Sequence, residues 1–426
     1  MHDPSVTAEA RLARQGSAAE LADALQQSRK DTLTTFAAFE RALPDMRVPQ
    51  HPELNPPLWE LGHIGWFQTW WLQRFAARSQ GWRADPELAR GPALHDDADS
   101  LYNSSKVPHD RRWRLRLPDA TQTRAHLAQQ LQATLALLSE SRGNTTRSDD
   151  DALYFFRLVL LHEDMHHEAS LYMARSLGVP IDPARWQPAG LPEPPTPLHF
   201  GAAPWRLGSE ADAGFAFDNE LGAHTVQVAA GQIDAQVLRW ADYLPFVEAG
   251  GYRQDRQDRQ DRQVSQHQPL RWWTEAGHQW RLAQRLQAPR YLRADAAGWQ
   301  QWRNGHWQGL DLSQPACHLS QHEALAWCAW AGRRLPTEAE WERAALSRPD
   351  AFRWGDVWEW TASAFAPYPG FVPHPYRDYS APWFDGRPVL RGGSFMTQPR
   401  IKHPRYRNFF AAQRNDIAAG FRSCAL

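Results

Sequence analysis

The feature that most constrains this chain is an apolar helical segment, residues 158–173, which carries two histidines four positions apart. His162 and His166 lie on one face of a helix, about one turn apart, because an α-helix has roughly 3.6 residues per turn. Two imidazoles in that arrangement can chelate one metal ion. His167 lies about 100° further round the helix, so we do not expect it to be a third ligand.

Two other interpretations of this histidine pair are open. Both side chains could be core histidines that satisfy their hydrogen bonds without binding a ligand. The segment also contains His162-Glu163-x-x-His166, a pattern in which zinc proteases use the glutamate as general base. The protease pattern needs a third ligand downstream, and no comparable residue follows within the helix or the proline-rich segment after it.

Apolar periodicity predicts four long helices within residues 1–178, which indicates an all-α four-helix bundle. The second of them carries His63 among large aromatic side chains, and Pro57 suits its start. Ser148 and the acidic residues after it predict the start of the fourth helix, and Gly178 predicts its end. Bundles build metal sites from inward-facing side chains of neighbouring helices. The predicted helices cover residues 18–43, 57–75, 119–139 and 148–177.

The chain changes character after residue 178. Residues 179–197 contain seven prolines and predict a linker between two domains. Residues 198–426 alternate short apolar runs with Gly, Asn, Asp and Pro, which indicates an α+β domain with one clear helix at residues 320–331. Within this domain, residues 253–263 repeat Arg-Gln-Asp three times, and such polar low complexity predicts a surface insertion.

Composition and charge argue against several classes of function. The 426 residues carry a formal charge of −1, so we expect no nucleic-acid partner and no membrane partner. Charged residues recur through residues 3–23 without an apolar run, which predicts no signal peptide and a cytoplasmic location. The three cysteines, Cys317, Cys328 and Cys424, are widely spaced and predict reduced thiols rather than disulfides.

Five strings in the second half of the chain resemble the formylglycine-generating-enzyme/sulfatase-modifying family, which has a C-type-lectin-like fold. The first half is similar to a DinB-type bundle through His63 and the His162/His166 pair. Two such domains in this order resemble the ergothioneine-pathway sulfoxide synthases (EgtB type), and among these the selenoneine synthase branch is the most similar. The five strings are Phe217-Asp218-Asn219-Glu220, Gly250-Gly251-Tyr252, Gly-Arg-Arg-Leu-Pro-Thr-Glu-Ala-Glu-Trp-Glu at residues 332–342, Val-Trp-Glu-Trp-Thr at 357–361 and Leu-Arg-Gly-Gly-Ser-Phe at 390–395.

This resemblance implies a non-haem iron enzyme. In the family three histidines hold Fe(II), and the matching positions are His63, His162 and His166. Three neutral imidazoles suit Fe(II) and leave positions open for O₂ and substrates. Glu163 and Glu168 could orient the histidine rings, or they could be solvated charges on the helix face. The implied reaction joins a chalcogen donor to C2 of the imidazole of hercynine, the N-trimethylated betaine of histidine.

The resemblance also implies roles for two tyrosines. Tyr376 matches the tyrosine that donates a proton and a hydrogen atom during oxidation in the family. Phe371 is a rival for that position in the alignment, although a phenylalanine cannot donate a proton. Tyr379 is expected to contact the imidazole of the acceptor substrate.

A segment near residue 410 resembles the substrate-binding segment of the family. Asn408 and Phe409 are expected to contact hercynine. Its trimethylammonium group is a soft cation that aromatic faces hold well, and Trp358 and Trp360 are further aromatic side chains suited to it.

Two positions depart from relatives that use γ-glutamylcysteine as sulfur donor. Those relatives have an aspartate at the position of Phe410, which pairs with the donor's ammonium group, and a glutamine at the position of Met165. Arg414 matches an arginine that helps to bind the donor. Because phenylalanine cannot neutralise an ammonium group, we expect a donor without an amino-acid head group, such as a selenosugar. The alternative is a sulfoxide synthase with a thiol donor such as cysteine or γ-glutamylcysteine.

Two further classes of function must be weighed. The lectin-like half could be a non-enzymatic binding module beside structural histidines, and such a module should purify without stoichiometric iron. Formylglycine generation relies on reactive cysteines and copper. Cys424 is the only cysteine after Cys328 and has no nearby partner in sequence, which argues against that activity.

Overall fold

A computed structural model describes residues 6–93, 95, 97–140, 150–182, 184–253 and 272–426 of the chain. Two sequence predictions fall outside these residues: the N-cap at Ser148 and the Arg-Gln-Asp repeat beyond Arg253. An all-helical half is followed by a half that contains β-sheets, which confirms the predicted two-domain fold class.

The four predicted helices of the first half are present and form a bundle. In the described residues, α2 and α3 each pack against both α5 and α6. Helix α2 begins at a capping box between Ser17 and Glu20, and α3 begins at Pro57 and ends at Trp71, before the predicted end at residue 75. The helices are α1 Ala8–Gln15, α2 Ala18–Ala42, α3 Pro57–Trp71, α4 Ala98–Tyr102, α5 Ala120–Glu140 and α6 Asp150–Leu177.

The second half is built from short strands. Among the described residues, one four-stranded sheet has the order β1-β4-β13-β8 and another has the order β11-β10-β9-β12. A hairpin, β2-β3, and a three-stranded sheet, β5-β6-β7, accompany them. The strands are β1 Leu198–Phe200, β2 Ala203–Leu207, β3 His224–Val228, β4 Gly231–Ile233, β5 Leu292–Asp295, β6 Gly298–Arg303, β7 His306–Gly309, β8 Arg333–Arg334, β9 Trp358–Ala364, β10 Pro388–Gly392, β11 Asn408–Phe409, β12 Ala419–Gly420 and β13 Cys424–Ala425.

The expectation of one clear helix in this half was wrong. The predicted helix is α9, Gln321–Ala331, which begins at a capping box between Ser320 and Glu323. Three shorter helices accompany it in the described part of this half, and periodicity is a weak signal over so few turns. They are α7 Trp240–Phe246, α8 Glu275–Gln284 and α10 Glu338–Ser347.

Helix α6 joins the two halves, because buried polar side chains on it bind the second half. Glu168 accepts a hydrogen bond from the indole Nε1 of Trp358 at 2.7 Å. Asp164 binds the Arg400 guanidinium through two bonds of 2.7 and 2.8 Å. The predicted linker also packs on α6, since the buried ring of Trp186 lies 4.9 Å from that of His167.

None of the helices in the described ranges is both long enough and apolar enough to cross a membrane. The cytoplasmic location stays a prediction.

Candidate functional site

Three histidines from two helices of the bundle meet at its centre. His63 comes from α3, and His162 and His166 come from α6. Their potential ligand nitrogens all lie within 4.8 Å of one another. The ring centroids of His162 and His166 are 4.4 Å apart, and that of His63 lies 5.2 and 4.8 Å from them. One small ion between the rings could contact all three side chains. We call this set the histidine triad.

In His63 and His166, Nδ1 is held by a hydrogen bond, which leaves the other ring nitrogen of each available to a ligand. Nδ1 of His63 is 2.8 Å from the backbone oxygen of Tyr102, and Nδ1 of His166 is 2.5 Å from Oε2 of Glu60. Nε2 of His162 is buried and has no hydrogen-bond partner in the described part of the chain. A buried imidazole nitrogen without a partner is costly unless it binds something, and a metal ion would satisfy it.

The electrostatics of the triad also suit a cation. Burial lowers the pKa of His63 to about 3 and that of His162 well below its ordinary value, so both rings are neutral and can offer a lone pair. Burial alone would raise the pKa of Glu60, but the attraction of His166 outweighs it and lowers this pKa to about 2. Neutral rings at His63 and His162, together with an ionised carboxylate bonded to His166, suit Fe, Zn, Cu or Ni in the divalent state.

The side chain that orients His166 is Glu60, which sequence reasoning missed. Glu163 forms a buried ion pair with Arg29, with bonds of 2.8 and 3.0 Å, and Glu168 binds the second half of the chain. In the described residues neither glutamate is hydrogen-bonded to a ring of the triad, and both are buried, so both roles considered from the sequence, ring orientation and a solvated charge, were wrong. The sequence feature that could have pointed to Glu60 is its position, since it is an acidic residue about one turn before His63 on an otherwise apolar helix.

The neighbouring histidine, His167, is not part of the triad, as helical periodicity predicted. Its Nε2 lies 2.9 Å from the hydroxyl of Thr35, and the ring is fully buried. Burial lowers the pKa of His167 to about 4, so it is a neutral core histidine.

Beside Glu60 and His166 lies a cavity of about 240 Å³, which we call the inner cavity. It combines aromatic walls with amide, carboxylate and guanidinium groups. Three residues that the resemblance assigned to substrate binding line it: Asn408, Phe410 and Arg414. Its other linings include Glu60, Met165, Glu168, Trp358 and Tyr406.

One corner of the inner cavity is closed by an ion pair. The guanidinium of Arg414 binds both oxygens of Asp416, at 2.6 and 2.7 Å. The same guanidinium carbon lies 5.0 Å from the centroid of the Phe410 ring. The cation at this corner is therefore already paired with a carboxylate and partly covered by an aromatic ring.

The two predicted tyrosines lie near the triad but differ in their surroundings. The ring of Tyr376 lies 6.1 Å from that of His162 and 4.9 Å from that of Phe67. The hydroxyl of Tyr379 is 2.7 Å from the hydroxyl of Tyr406. Burial raises the pKa of both Tyr376 and Tyr379, so both phenols are protonated.

Three aromatic residues considered from the sequence lie outside the lining of the inner cavity. Phe409 stacks on Phe365 with ring centroids 4.1 Å apart. Trp360 is fully buried and donates its indole N–H to the backbone oxygen of Leu319 at 2.7 Å. Phe371 contacts the ring of Phe384, 5.1 Å away. Of Trp358 and Trp360, it is Trp358 that lines the inner cavity.

A second and larger cavity, of about 590 Å³, lies near the triad, and we call it the outer cavity. Phe67 and Tyr376 form part of its wall. Phe67 also stacks on His162, with ring centroids 3.5 Å apart. The side chain of Phe67 therefore lies between the outer cavity and the ring of His162.

The cysteines do not form a reactive site. Cys317, Cys328 and Cys424 are free and buried. Burial raises the pKa of each thiol to about 12, so none is a ready thiolate. Thiolate chemistry at these positions is therefore disfavoured.

Two family descriptions match the two halves of the chain. The Sulfatase-modifying factor enzyme 1-like domain matches residues 204–356 and 353–425. The DinB superfamily matches residues 24–170. The two domain types inferred from the motif strings and from the histidine pattern are thereby confirmed.

Three curated relatives resemble the chain over nearly its whole length. The Hercynine oxygenase of Mycolicibacterium thermoresistibile is 32% identical over 95% of this chain and 94% of its own. That of Mycolicibacterium smegmatis is 30% identical over 94% of this chain and 97% of its own. That of Mycobacterium tuberculosis is 31% identical over 87% of this chain and 91% of its own.

Proposed function

The chain belongs to the hercynine oxygenase family, and on that premise we propose that it is an iron- and O₂-dependent oxidoreductase that joins a chalcogen donor to C2 of the hercynine imidazole. The observation that supports this most directly is the histidine triad beside a cavity lined by Asn408 and Trp358. The preferred donor is a selenosugar, which would make the protein a selenoneine synthase. The alternative is an ergothioneine-pathway sulfoxide synthase with a thiol donor.

His63, His162 and His166 would hold the iron. The orphaned Nε2 of His162 and the neutral state of the buried rings fit a ferrous ion. When bound, Fe(II) would supply the O₂ chemistry that amino-acid side chains lack. Glu60 would keep the His166 ring in the required orientation through its bond to Nδ1.

Hercynine would occupy the inner cavity, whose volume of about 240 Å³ suits a small betaine. The indole of Trp358 offers a face to the trimethylammonium group. The side-chain oxygen of Asn408 accepts a hydrogen bond from the backbone N–H of Phe409 at 2.9 Å, which leaves its amide N–H groups for the substrate carboxylate. The hydroxyl pair of Tyr379 and Tyr406 would meet the imidazole.

Tyr376 would act as the proton donor at its phenolic oxygen. Burial keeps this phenol protonated, and its ring lies beside that of His162. In the overall reaction a C–H bond of hercynine and an Se–H or S–H bond of the donor break and a carbon–chalcogen bond forms. One oxygen atom of O₂ ends on the chalcogen and the other leaves as water with the two hydrogens.

The preference for a selenosugar rests on Phe410. Of the carboxylates that line the inner cavity, Asp416 already binds Arg414 and Glu53 pairs with Arg290, so neither is free for a donor ammonium group. An amino-acid donor would leave its ammonium group unpaired there, at a cost of about 1–3 kcal/mol or more.

The proposal is tested with purified protein loaded with Fe(II). Hercynine and O₂ are supplied with a 1-selenosugar, 1-thio-β-D-glucose, cysteine or γ-glutamylcysteine, and products are identified by mass spectrometry. We expect C2-linked products from the sugar donors that depend on both iron and O₂. Product from γ-glutamylcysteine alone would reject the selenosugar preference, and no consumption of hercynine with any donor would reject the enzyme activity.

A further inference from the structure

We propose that the short turn at residues 217–220, Phe-Asp-Asn-Glu, positions the loop that carries Tyr376 and Tyr379, with Asp218 as its main positioning residue. We call residues 374–380 the tyrosine loop. The turn is one of the strings noted in the sequence, and the reaction proposed above gives it no role. The inference rests on the proposed function, because that function assigns the two tyrosines to proton transfer and substrate contact.

The carboxylate of Asp218 binds both ends of the tyrosine loop. Oδ2 accepts a hydrogen bond from the backbone N–H of His374 at 3.2 Å, and Oδ1 accepts one from the hydroxyl of Ser380. Tyr376 and Tyr379 lie between these two residues in the chain. Hydrogen bonds to an ionised carboxylate are stronger than those between neutral groups. One buried side chain therefore holds the first and last residues of the loop together.

The neighbours of Asp218 in the turn add two contacts to the same loop. The side-chain amide of Asn219 donates to the hydroxyl oxygen of Ser380 at 3.0 Å, so this hydroxyl both donates and accepts. The ring of Phe217 stacks on that of Tyr379, with centroids 4.3 Å apart and an angle of 26° between the planes. Three consecutive residues of the turn therefore contact the tyrosine loop.

Other bonds hold the turn itself in place. Glu220 forms a buried ion pair with Arg14 of α1, with bonds of 2.8 and 3.0 Å. The backbone oxygen of Asn219 accepts a hydrogen bond from Arg407 at 2.8 Å. Arg407 directly precedes Asn408, which lines the inner cavity. The turn is therefore fixed to both halves of the chain, as an element that positions a site must be.

Asp218 is an unfavourable residue if stability is its only role. It is buried, and it forms no ion pair with the residues that the structure describes. Burial raises the pKa of its carboxyl group, and hydrogen bonds from Ser380 and from the backbones of His374 and Asn219 oppose that rise. A buried carboxylate is costly unless hydrogen bonds replace its lost hydration. Most of these bonds come from the tyrosine loop, so the carboxylate and the loop depend on each other.

Tyr376 depends on the backbone of its loop for its orientation. Within the described ranges, no hydrogen bond holds its phenolic oxygen. Its ring packs against those of Phe67 and Trp71, with centroids 4.9 and 6.3 Å away. Apolar packing is less directional than a hydrogen bond, whereas a proton donor must lie within hydrogen-bond reach of the atom that it protonates. The bonds at His374 and Ser380 therefore limit where the phenol can lie.

The test uses Asp218→Asn in the iron-loaded protein. Asparagine has nearly the same shape, but one of its two terminal atoms donates instead of accepting, so the bond from His374 or that from Ser380 is lost. The matched control is Asp234→Asn, because Asp234 also accepts bonds from a serine hydroxyl and a backbone N–H, both of Ser423, outside the tyrosine loop. Ser380→Ala is a second variant, which keeps the carboxylate and serves if Asp218→Asn does not fold.

Three quantities are measured for each variant: hydrogen–deuterium exchange of the tyrosine loop by mass spectrometry, iron content, and the single-turnover rate. The rate is taken at saturating hercynine with whichever donor named above the wild type uses best. It is also measured in Tyr376→Phe and in the double variant Asp218→Asn/Tyr376→Phe. A residue that acts through Tyr376 loses its effect on the rate when the phenol is absent, whereas a residue that only stabilises the fold does not.

We expect Asp218→Asn to speed exchange of the tyrosine loop about tenfold and to lower the single-turnover rate about tenfold or more, with iron content unchanged. Asp234→Asn should match the wild type in loop exchange and in rate. The double variant should be no slower than Tyr376→Phe alone. Unchanged loop exchange in both Asp218→Asn and Ser380→Ala would overturn the assignment, and so would a double variant about tenfold slower than Tyr376→Phe.

Failure of the proposed function has a different signature. A wild-type protein that consumes no hercynine with any donor would overturn that function and, with it, the effect of Asp218 on the reaction. Loop exchange would still decide whether Asp218 holds the tyrosine loop. Faster loop exchange with an unchanged rate would leave the proposed function standing and reject Asp218 as a positioning residue for it.

Discussion

Glu60 and His166 are 106 positions apart in sequence, yet Oε2 of the glutamate lies 2.5 Å from Nδ1 of the imidazole. The other carboxylate oxygen accepts a hydrogen bond from the side-chain amide of Asn55, also at 2.5 Å. The contact connects α3 with α6 and fixes the ring of one member of the triad. A carboxylate behind a histidine also makes that ring a stronger metal ligand.

Glu60→Gln should therefore weaken iron binding. The amide can still accept a hydrogen bond from His166 but lacks the negative charge, so we expect iron affinity to fall about 10- to 100-fold. Competition with a chelator of known affinity measures the effect. The matched control is Glu53→Gln, which lines the same inner cavity but pairs with Arg290. Equal iron affinity in Glu60→Gln and wild type would contradict the assignment of this role.

The sequence allowed the triad, but not Glu60, to be anticipated. The spacing of His162 and His166 places both rings on one face of a single helix, which follows from local geometry alone. The choice of His63 came from the family resemblance. Glu60 bonds across the bundle to a residue of another helix, and the periodicity of one helix does not determine which residues of two helices meet.

The same limit applies to the fold. Long helices such as α2 and α6 were predicted because their apolar pattern extends over many turns. Helix α10 was missed because its ten residues span few turns, although its capping box between Thr337 and Glu340 is legible in the sequence. The burial of Trp186 within a proline-rich segment could not be foreseen, because linker composition does not determine what the segment packs against.

Replacing single histidines distinguishes a proposed metal ligand, His162, from the nearby core histidine His167. His162→Gln should lose most of the bound iron, because one of three ligands is removed. His167→Gln is the matched control, since this adjacent buried histidine bonds to Thr35 instead. Metal content of both variants, purified in the same way and measured by elemental analysis, tests the assignment. Full iron occupancy in His162→Gln would exclude it as a ligand.

Tyr376→Phe keeps the ring contacts with Phe67 and His162 but removes the phenolic proton. Loss of a proton donor typically costs about 10²- to 10⁴-fold in rate, so we expect kcat to fall by that amount with hercynine affinity unchanged. Tyr379→Phe should instead raise the Kd of hercynine, because its hydroxyl belongs to the pair that would meet the imidazole. Single-turnover rates and calorimetry distinguish the two effects. An unchanged kcat in Tyr376→Phe would transfer the role to another group.

Stability should decrease as the pH falls from 7 to 4, and His374 should contribute to that decrease. Burial lowers the pKa of His374 to about 4, whereas the unfolded chain has an ordinary value near 6.5. Between these values the unfolded state binds a proton that the folded state does not, which favours unfolding. In His374→Gln, the decrease in the free energy of unfolding between pH 7 and pH 4.5 should be smaller by about 2 kcal/mol. Melting temperatures against pH, with the exposed His199→Gln as control, measure it; parallel curves for both variants would contradict the prediction.

Phe410→Asp should shift donor preference toward γ-glutamylcysteine. The new carboxylate would line the inner cavity and could pair with a donor ammonium group, which Phe410 cannot do. We expect the ratio of kcat/KM for γ-glutamylcysteine to that for 1-thio-β-D-glucose to rise at least tenfold, or about 1.4 kcal/mol. Phe410→Asn is the matched control, because it has the same size as aspartate without the charge.

The control matters because Arg414 lies beside Phe410 and holds Asp416. An aspartate at position 410 could draw Arg414 away from Asp416, and that rearrangement would alter the corner without any donor. A shift in the aspartate variant that is absent in the asparagine variant requires the charge. If thiosugar binding also survives in Phe410→Asp, the sugar is held elsewhere than at this corner. An unchanged donor ratio in the aspartate variant would remove the argument for a donor without an amino-acid head group.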